Sequence, residues 1–497
     1  MHGDGSEVVS SVRVEHLSVH FGAHAALKDV DLAFAPGECV LVAGPSGSGK
    51  STLACTLNGV IPQSLAARID GRIFINGRPA AGRPVAELSR EVGLVFQNPA
   101  TQLFSLRVED EICFGPRNLG LGDAEIARRL EWALERVGLA GLRDRSTGTL
   151  SAGERQRLAL GAVLAMGPQV LVLDEPLANL DAEGAEALRQ TVRTLCEDDG
   201  ATVILIEHRL GAAAAFATRT VLLGEGSVVA DGPTDRVLAD SPGLERLGLR
   251  MPADGSPTSW TELLDGGADV ESVPLVTLRG LSAGFGRRPA LTDIDLTIGN
   301  GDFLALVGEN GAGKTTLAHV LAGLLRPRRG SVRWASRRRP RPGTGAGLLF
   351  QDPTAQLLCE TVEDEIAFGL RNIGRSEPAR LDEALAASGL SHLRRRPVFA
   401  LSLGEQQRLA AAAVLSLEPR LVILDEPTVG QDWRHVTGIM EAARQLNRSG
   451  ATVVLLTHDH ELVRRYATRM VVLERGRIVA QGGTRRDLTG QGAQRCA

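Results

Sequence analysis

The stretch Glu38–Leu53, ECVLVAGPSGSGKSTL, returns at Asp302–Leu317 as DFLALVGENGAGKTTL. Each copy holds an apolar run, then a glycine-rich turn, then the start of an apolar helical pattern. The turns are Gly44-Pro45-Ser46-Gly47-Ser48-Gly49-Lys50-Ser51-Thr52 and Gly308-Glu309-Asn310-Gly311-Ala312-Gly313-Lys314-Thr315-Thr316. Both fit G-x-x-x-x-G-K-[ST] in the strand-to-helix context that gives this pattern its meaning. Glycines let successive backbone N–H groups turn inward as an anion nest at a helix N-terminus. A lysine there meets terminal phosphates as a compact point charge, and the following hydroxyl suits Mg²⁺. ATP with Mg²⁺ is the ligand this chemistry asks for. Two matches in register leave little room for accident.

The repeat extends well beyond the turn. Residues 92–120, 149–165 and 171–176 recur at 346–374, 400–416 and 422–427. Lys50 and Lys314 lie 264 residues apart, Gln97 and Gln351 254, and Asp174 and Asp425 251. The second copy is therefore about ten residues shorter between its lysine and its glutamine. A 497-residue chain exceeds one ordinary core. It divides into domains at 10–245 and 274–490, joined by an exposed Pro/Gly/Ser-rich linker at 246–273. Runs such as CVLVA, VLVLD and TVILI are apolar on both faces, as a covered parallel sheet requires. The expected fold is α/β, twice. Each domain has a mainly parallel sheet core, an antiparallel β subdomain and an inserted helical subdomain, which in the first copy spans Gln97 to about Arg157.

Composition narrows the function classes. A formal charge of −4 over this length calls for neither nucleic acid nor an acidic substrate. The six cysteines form no C-x-x-C pair, which argues against a zinc site and a disulfide framework and suits a reducing cytoplasm. The first residues, MHGDGSEVVS, lack a basic start and an apolar core, so no secretion signal is expected. No run nears the roughly 20 apolar residues that would span a bilayer. Of 55 basic residues three are lysine, and two of those are Lys50 and Lys314.

Asp174-Glu175 and Asp425-Glu426 close apolar strands, at the carboxyl edge where open α/β sheets bind ligands. The aspartate is suited to Mg²⁺ and the glutamate to deprotonating the attacking water. His208 and His458 end the next runs and could contact the terminal phosphate. Gln97 and Gln351 offer amides to Mg²⁺ or water. Ser151 and Ser402 precede helical stretches as N-caps.

In order, these motifs resemble the ATP-binding-cassette ATPases: the phosphate loop, the glutamine loop, LSAGE/LSLGE, LxLDEP, Asp181/Asp432 and the terminal histidine. The resemblance covers nearly all of both halves. It implies a head-to-tail internal pseudo-dimer with two sandwiched ATP molecules. One site would join residues 44–52, Gln97, Glu175 and His208 to Ser402, Gly404 and Glu405. The other would join residues 308–316, Gln351, Glu426 and His458 to Ser151, Gly153 and Glu154. Phe21 and Phe285 would stack on adenine by the same resemblance. The family's third signature residue is usually glycine; here it is Ala152 or Leu403.

QNPATQLFSLRVEDEICFGPRN and QDPTAQLLCETVEDEIAFGLRN resemble the ATPases of energy-coupling-factor importers for vitamins and transition metals. That likeness implies a transmembrane coupling subunit, a substrate-specific membrane subunit, and a peripheral place on the cytoplasmic face of the membrane. Basic groups of the partner would meet Glu109, Asp110, Glu111, Glu363, Asp364 and Glu365. Fused sugar-importer ATPases and soluble tandem cassettes acting on ribosomes are the alternatives. The linker is shorter than in the ribosomal type. The arginine-rich run 326–342 reads as a solvated loop, with a lipid-surface contact next and RNA last.

Overall fold

The computed structural model describes residues 10–485, apart from 98, 178–181, 208–209, 250–258, 266–272, 286–288, 310, 337–339, 342, 376–377 and 429–430. The chain forms two compact units, Met1–Asp254 and Gly255–Ala497.

In the first unit the sheet order is Ser227–Pro233, Arg219–Gly224, Cys39–Ala43, Thr202–Glu207, Val170–Asp174, Val92–Val95. All neighbours run parallel except the first pair. The alternation of side chains explains the unbroken apolar runs. Val203 and Leu205 pack toward the helices, while Ile204 and Ile206 pack toward the antiparallel subdomain. That subdomain pairs His24–Phe34, Val12–Phe21, Arg68–Ile75 and Arg78–Pro79. Helices Val108–Asn118, Asp123–Arg136 and Ala152–Leu164 fill the interval between Val92–Val95 and Val170–Asp174. The expected helical insertion is there.

The second unit repeats the plan with Phe303–Val307, Thr452–Leu456, Leu421–Asp425 and Ala346–Leu349 as parallel neighbours. The missing ten residues have a structural identity. The first unit places Val60–Gln63, Arg78–Pro79 and Val85–Leu88 between its phosphate-loop helix and Val92–Val95. Among the described residues of the second unit, only the strand Arg329–Trp334 occupies that interval.

The exposed linker is corrected in part. Leu249 is buried in the first unit's core. Leu264–Asp265 adds an antiparallel edge strand to Arg477–Thr484, and Leu263 is buried beneath it. Trp260 stacks on His460 with ring centroids 3.9 Å apart. A tryptophan and two leucines at this spacing bury apolar area, which outweighs the polar composition around them. Among the described residues no helix is long and apolar enough to cross a membrane.

Candidate functional site

The strand Cys39–Ala43 runs into the glycine-rich turn and the helix Lys50–Leu57; Phe303–Val307 runs into Lys314–Leu321. Gly49 and Gly313 stand at φ 100° and 103°. A Cβ there would come within 2.5 Å of the Ala26 carbonyl and 2.9 Å of the Ala290 carbonyl, so glycine is required twice over. Lys50 Nζ donates to the carbonyls of Gly44 and Pro45 at 2.8 Å each. Lys314 Nζ does the same to Gly308 at 2.7 Å and Glu309 at 3.1 Å. Both lysines are buried, and their carbonyl contacts hold each ammonium inside its own turn. Asn310, predicted to belong to the second turn, lies outside the described residues.

Asp174 and Asp425 end their strands buried. Burial pushes the Asp425 carboxyl up to about 6, and the neighbouring Glu426 adds to this, while a hydrogen bond with Thr315 and the charge of Lys314 oppose it. Asp425 Oδ1 is buried without a hydrogen-bond partner. An orphaned carboxylate oxygen beside a threonine hydroxyl is a donor set that fits a hard cation such as Mg²⁺.

Glu175 and Glu426 both adopt φ 48°, a left-handed backbone uncommon for glutamate. Their amides donate to Ile206 at 2.9 Å and Leu456 at 3.0 Å, continuing the parallel ladder one residue past the strand. The strain is thus imposed at the same edge in both units, where such outliers accompany function. Around these glutamates the two units differ. In the first, Gln97 Nε2 donates to Glu175 Oε2 at 2.6 Å. In the second, His458 Nδ1 lies 3.0 Å from Glu426 Oε2, and Gln351 is solvent-exposed. His208 and Asp181 lie outside the described residues.

Ser151 and Ser402 are N-caps, each closed by a full capping box with Glu154 or Glu405. Bonds from Ser151 hold the Glu154 carboxyl below its ordinary range. Gly153 and Gly404 lie in the first turns of these helices, and the carbonyl of Gly404 accepts from Gln431 Nε2 at 2.7 Å. Phe21 and Phe285 are surface rings, 36% and 61% exposed, which excludes a core role for either.

Two acids of the VEDEI segments are a correction. Glu111 and Glu365 are buried. Glu111 Oε2 accepts the Phe104 and Ser105 amides at 2.9 and 2.5 Å; Glu365 Oε2 accepts those of Leu358 and Cys359 at 2.8 and 2.7 Å. Glu109 pairs with Arg143 and Glu363 with Arg394. Glu111 and Glu365 thus staple the loop that follows the glutamine rather than face a partner. What the surface shows there instead is apolar. Phe104, Leu106 and Phe114 are exposed in the first unit, Leu358, Phe368 and Phe399 in the second. Gln102 and Gln356 are residues that the motifs alone do not single out. Each amide bridges its own strand edge, accepting from Phe96 or Phe350 at 3.1 Å and donating to Leu94 or Leu348. The second glutamine of the Q-[ND]-P-x-x-Q pattern is their available signal.

Residues 27–178 and 291–429 match the family model described as ABC transporter. The chain belongs to that family. A "Putative ABC transporter ATP-binding protein" of Methanosarcina acetivorans is 39% identical over 527 residues, covering 95% of this chain and 86% of that protein. CbiO1 from Clostridium perfringens, part of the ABC transporter complex CbiONQ, is 32% identical over 49% of this chain and 96% of its own, with a TM-score of 0.43. A structure of ribosome-bound archaeal Pelota and ABCE1 gives a TM-score of 0.67 at 21% identity, covering 96% of this chain and 79% of that one. The last likeness speaks for the fold alone. The protein is a tandem ABC ATPase with the α/β cassette fold in both halves.

Proposed function

We propose that this tandem ABC ATPase drives uptake of a micronutrient, a vitamin or a transition-metal ion, through a separate transmembrane subunit at the cytoplasmic face of the membrane. The transporter naming of its relatives supports the coarse reading. The finer one rests on the resemblance of the segments after the glutamines, and the observation that supports a transmembrane partner there is the pair of apolar patches beside the glutamine loops. Phe104 and Phe114 pack with ring centroids 5.8 Å apart and still face water, and Leu358 and Phe368 are exposed at the equivalent positions. Exposed apolar side chains repeated at one place in a duplicated chain mark a docking surface.

At each nucleotide site, Lys50 or Lys314 meets the terminal phosphates and the turn amides bind the remaining oxygens. Ser51 and Asp174, or Thr315 and Asp425, hold Mg²⁺, assisted by Gln97 or Gln351. Bound Mg²⁺ neutralises charge on the phosphate oxygens. Glu175 or Glu426 takes the proton of the attacking water, and His208 or His458 donates to the phosphate charge. Ser151, Gly153 and Glu154, with Ser402, Gly404 and Glu405, close the site of the opposite half, and Phe21 and Phe285 carry adenine.

Changing Phe104, Phe114, Leu358 and Phe368 together to serine tests the docking role. ATP binding should persist while integral membrane proteins no longer co-purify from detergent extracts. Undiminished recovery of those membrane chains, or recovery of ribosomes in their place, would overturn the importer reading.

A further inference from the structure

Glu207 is the last residue of the strand Thr202–Glu207 and is fully buried, at 0% exposure. A carboxylate is seldom so enclosed unless its bonds hold something in place. The strand lies between Cys39–Ala43, which feeds the phosphate loop, and Val170–Asp174, which carries Asp174 and Glu175. Parity puts Glu207 on the face of Val203 and Leu205, the one covered by the helix Ala182–Glu197. From there Glu207 Oε1 accepts the Leu177 N–H at 2.9 Å. Leu177 follows Glu175 by two residues, and His208 follows Glu207 directly. One buried carboxylate thus joins the turn that aims the glutamate to the strand end that bears the histidine.

The second unit is an internal control. It carries Thr428 where the first has Leu177, and Thr457 where the first has Glu207. Thr457 Oγ1 accepts the Asp459 N–H at 3.0 Å, so its polar atom serves its own loop. Both members of the Leu177/Glu207 pair differ in the second unit, which carries no carboxylate at the Glu207 position. The glutamine contact differs as well: Gln97 donates to Glu175, whereas Gln351 is solvent-exposed.

We infer that Glu207 is a positioning residue of the first ATP site alone: through the Leu177 amide it holds the 175–177 turn, and with it the Glu175 carboxylate, toward the attacking water. Its role is that of an acceptor. This rests on Glu175 and Glu426 being the bases.

The full-length chain is used throughout, with one site silenced at a time. In Glu426→Gln protein, which leaves the first site active, Glu207→Thr should lower kcat about tenfold or more and leave KM for ATP within about twofold, because a small misplacement of a reacting group acts on the chemical step. Glu207→Gln, which keeps the acceptor oxygen, should restore most of that rate and guards against a misfolded threonine variant. In Glu175→Gln protein, which leaves the second site active, Glu207→Thr should change neither constant. An unaltered kcat in the first background, a Gln variant as poor as the Thr variant, or equal losses at both sites would each overturn the proposal. Parent-rate hydrolysis by the Glu175→Gln/Glu426→Gln protein would instead remove the base assignment beneath it.

Discussion

Glu175 and Glu426 share a left-handed backbone, yet their surroundings are unequal, and residue-level predictions follow from that. Replacing both by glutamine keeps the shape of the side chain and removes the base. Hydrolysis should fall by roughly 10²–10⁴-fold with nucleotide binding retained, read by turnover and by equilibrium binding. Asp425 carries a second expectation. Its carboxyl, ordinarily near 3.8, is pushed to about 6 by burial. A folded-state value above the unfolded one means that the protonated form suits the fold. That contribution is whole below about pH 4 and is lost as pH rises through about 6. Without magnesium nucleotide, Asp425→Asn should therefore stabilise the protein, by up to about 3 kcal/mol at pH 7.5 and about half that near pH 5. Denaturation at the two pH values measures it; equal stabilisation at both would sink the assignment. With Mg²⁺–ATP the sign should reverse, because the asparagine is a poorer ligand for the cation.

At the scale of elements, the VEDEI helices show how one string of acids divides its labour. Glu111 accepts two backbone amides from inside the fold, whereas Asp110 is half exposed beside Arg117. Glu111→Ala should cost about 2–4 kcal/mol in denaturant unfolding, since two amides lose their acceptor. Asp110→Ala should stay within about 0.5 kcal/mol. Comparable losses from both would contradict the division. Sequence could not separate these acids, because burial depends on a loop folding back over the helix and no periodicity announces it. What sequence does announce is what local chemistry decides alone. An N-cap needs only a serine before a helical stretch, and both were legible at Ser151 and Ser402; the boxes that Glu154 and Glu405 complete came from the structure. The glycines at 49 and 313 were legible because no other residue fits their turns. The edge strand Leu264–Asp265 was not, since it forms only by pairing Leu264 with Thr484 and Asp265 with Gly483, far along the chain, in a segment whose composition reads as linker.

For the whole molecule, duplication sets what can be separated. Each unit has its own sheet and its own buried clusters, and the strands of each sheet come from one unit alone. Residues 1–254 and 255–497, made as separate chains, should each fold and unfold cooperatively, because among the described residues no strand or core cluster is split by the cut. Each should bind ATP, since the phosphate loop and the aspartate–glutamate pair are contained within one unit. Hydrolysis should behave differently. Under the proposed head-to-tail pairing, the serine and glycine of one half would face the phosphates held by the other, so a lone half would lack donors for its own nucleotide. Removing such transition-state contacts typically costs orders of magnitude in rate. Mixing the halves should recover turnover that rises more steeply than in proportion to concentration and saturates as they pair. Glu175→Gln in the first half with Glu426→Gln in the second should abolish the recovered rate, whereas either change alone should leave part of it. A single half that hydrolyses ATP at half the parent rate, in simple proportion to its concentration, would show that each cassette is a complete enzyme and that the pairing serves something other than catalysis.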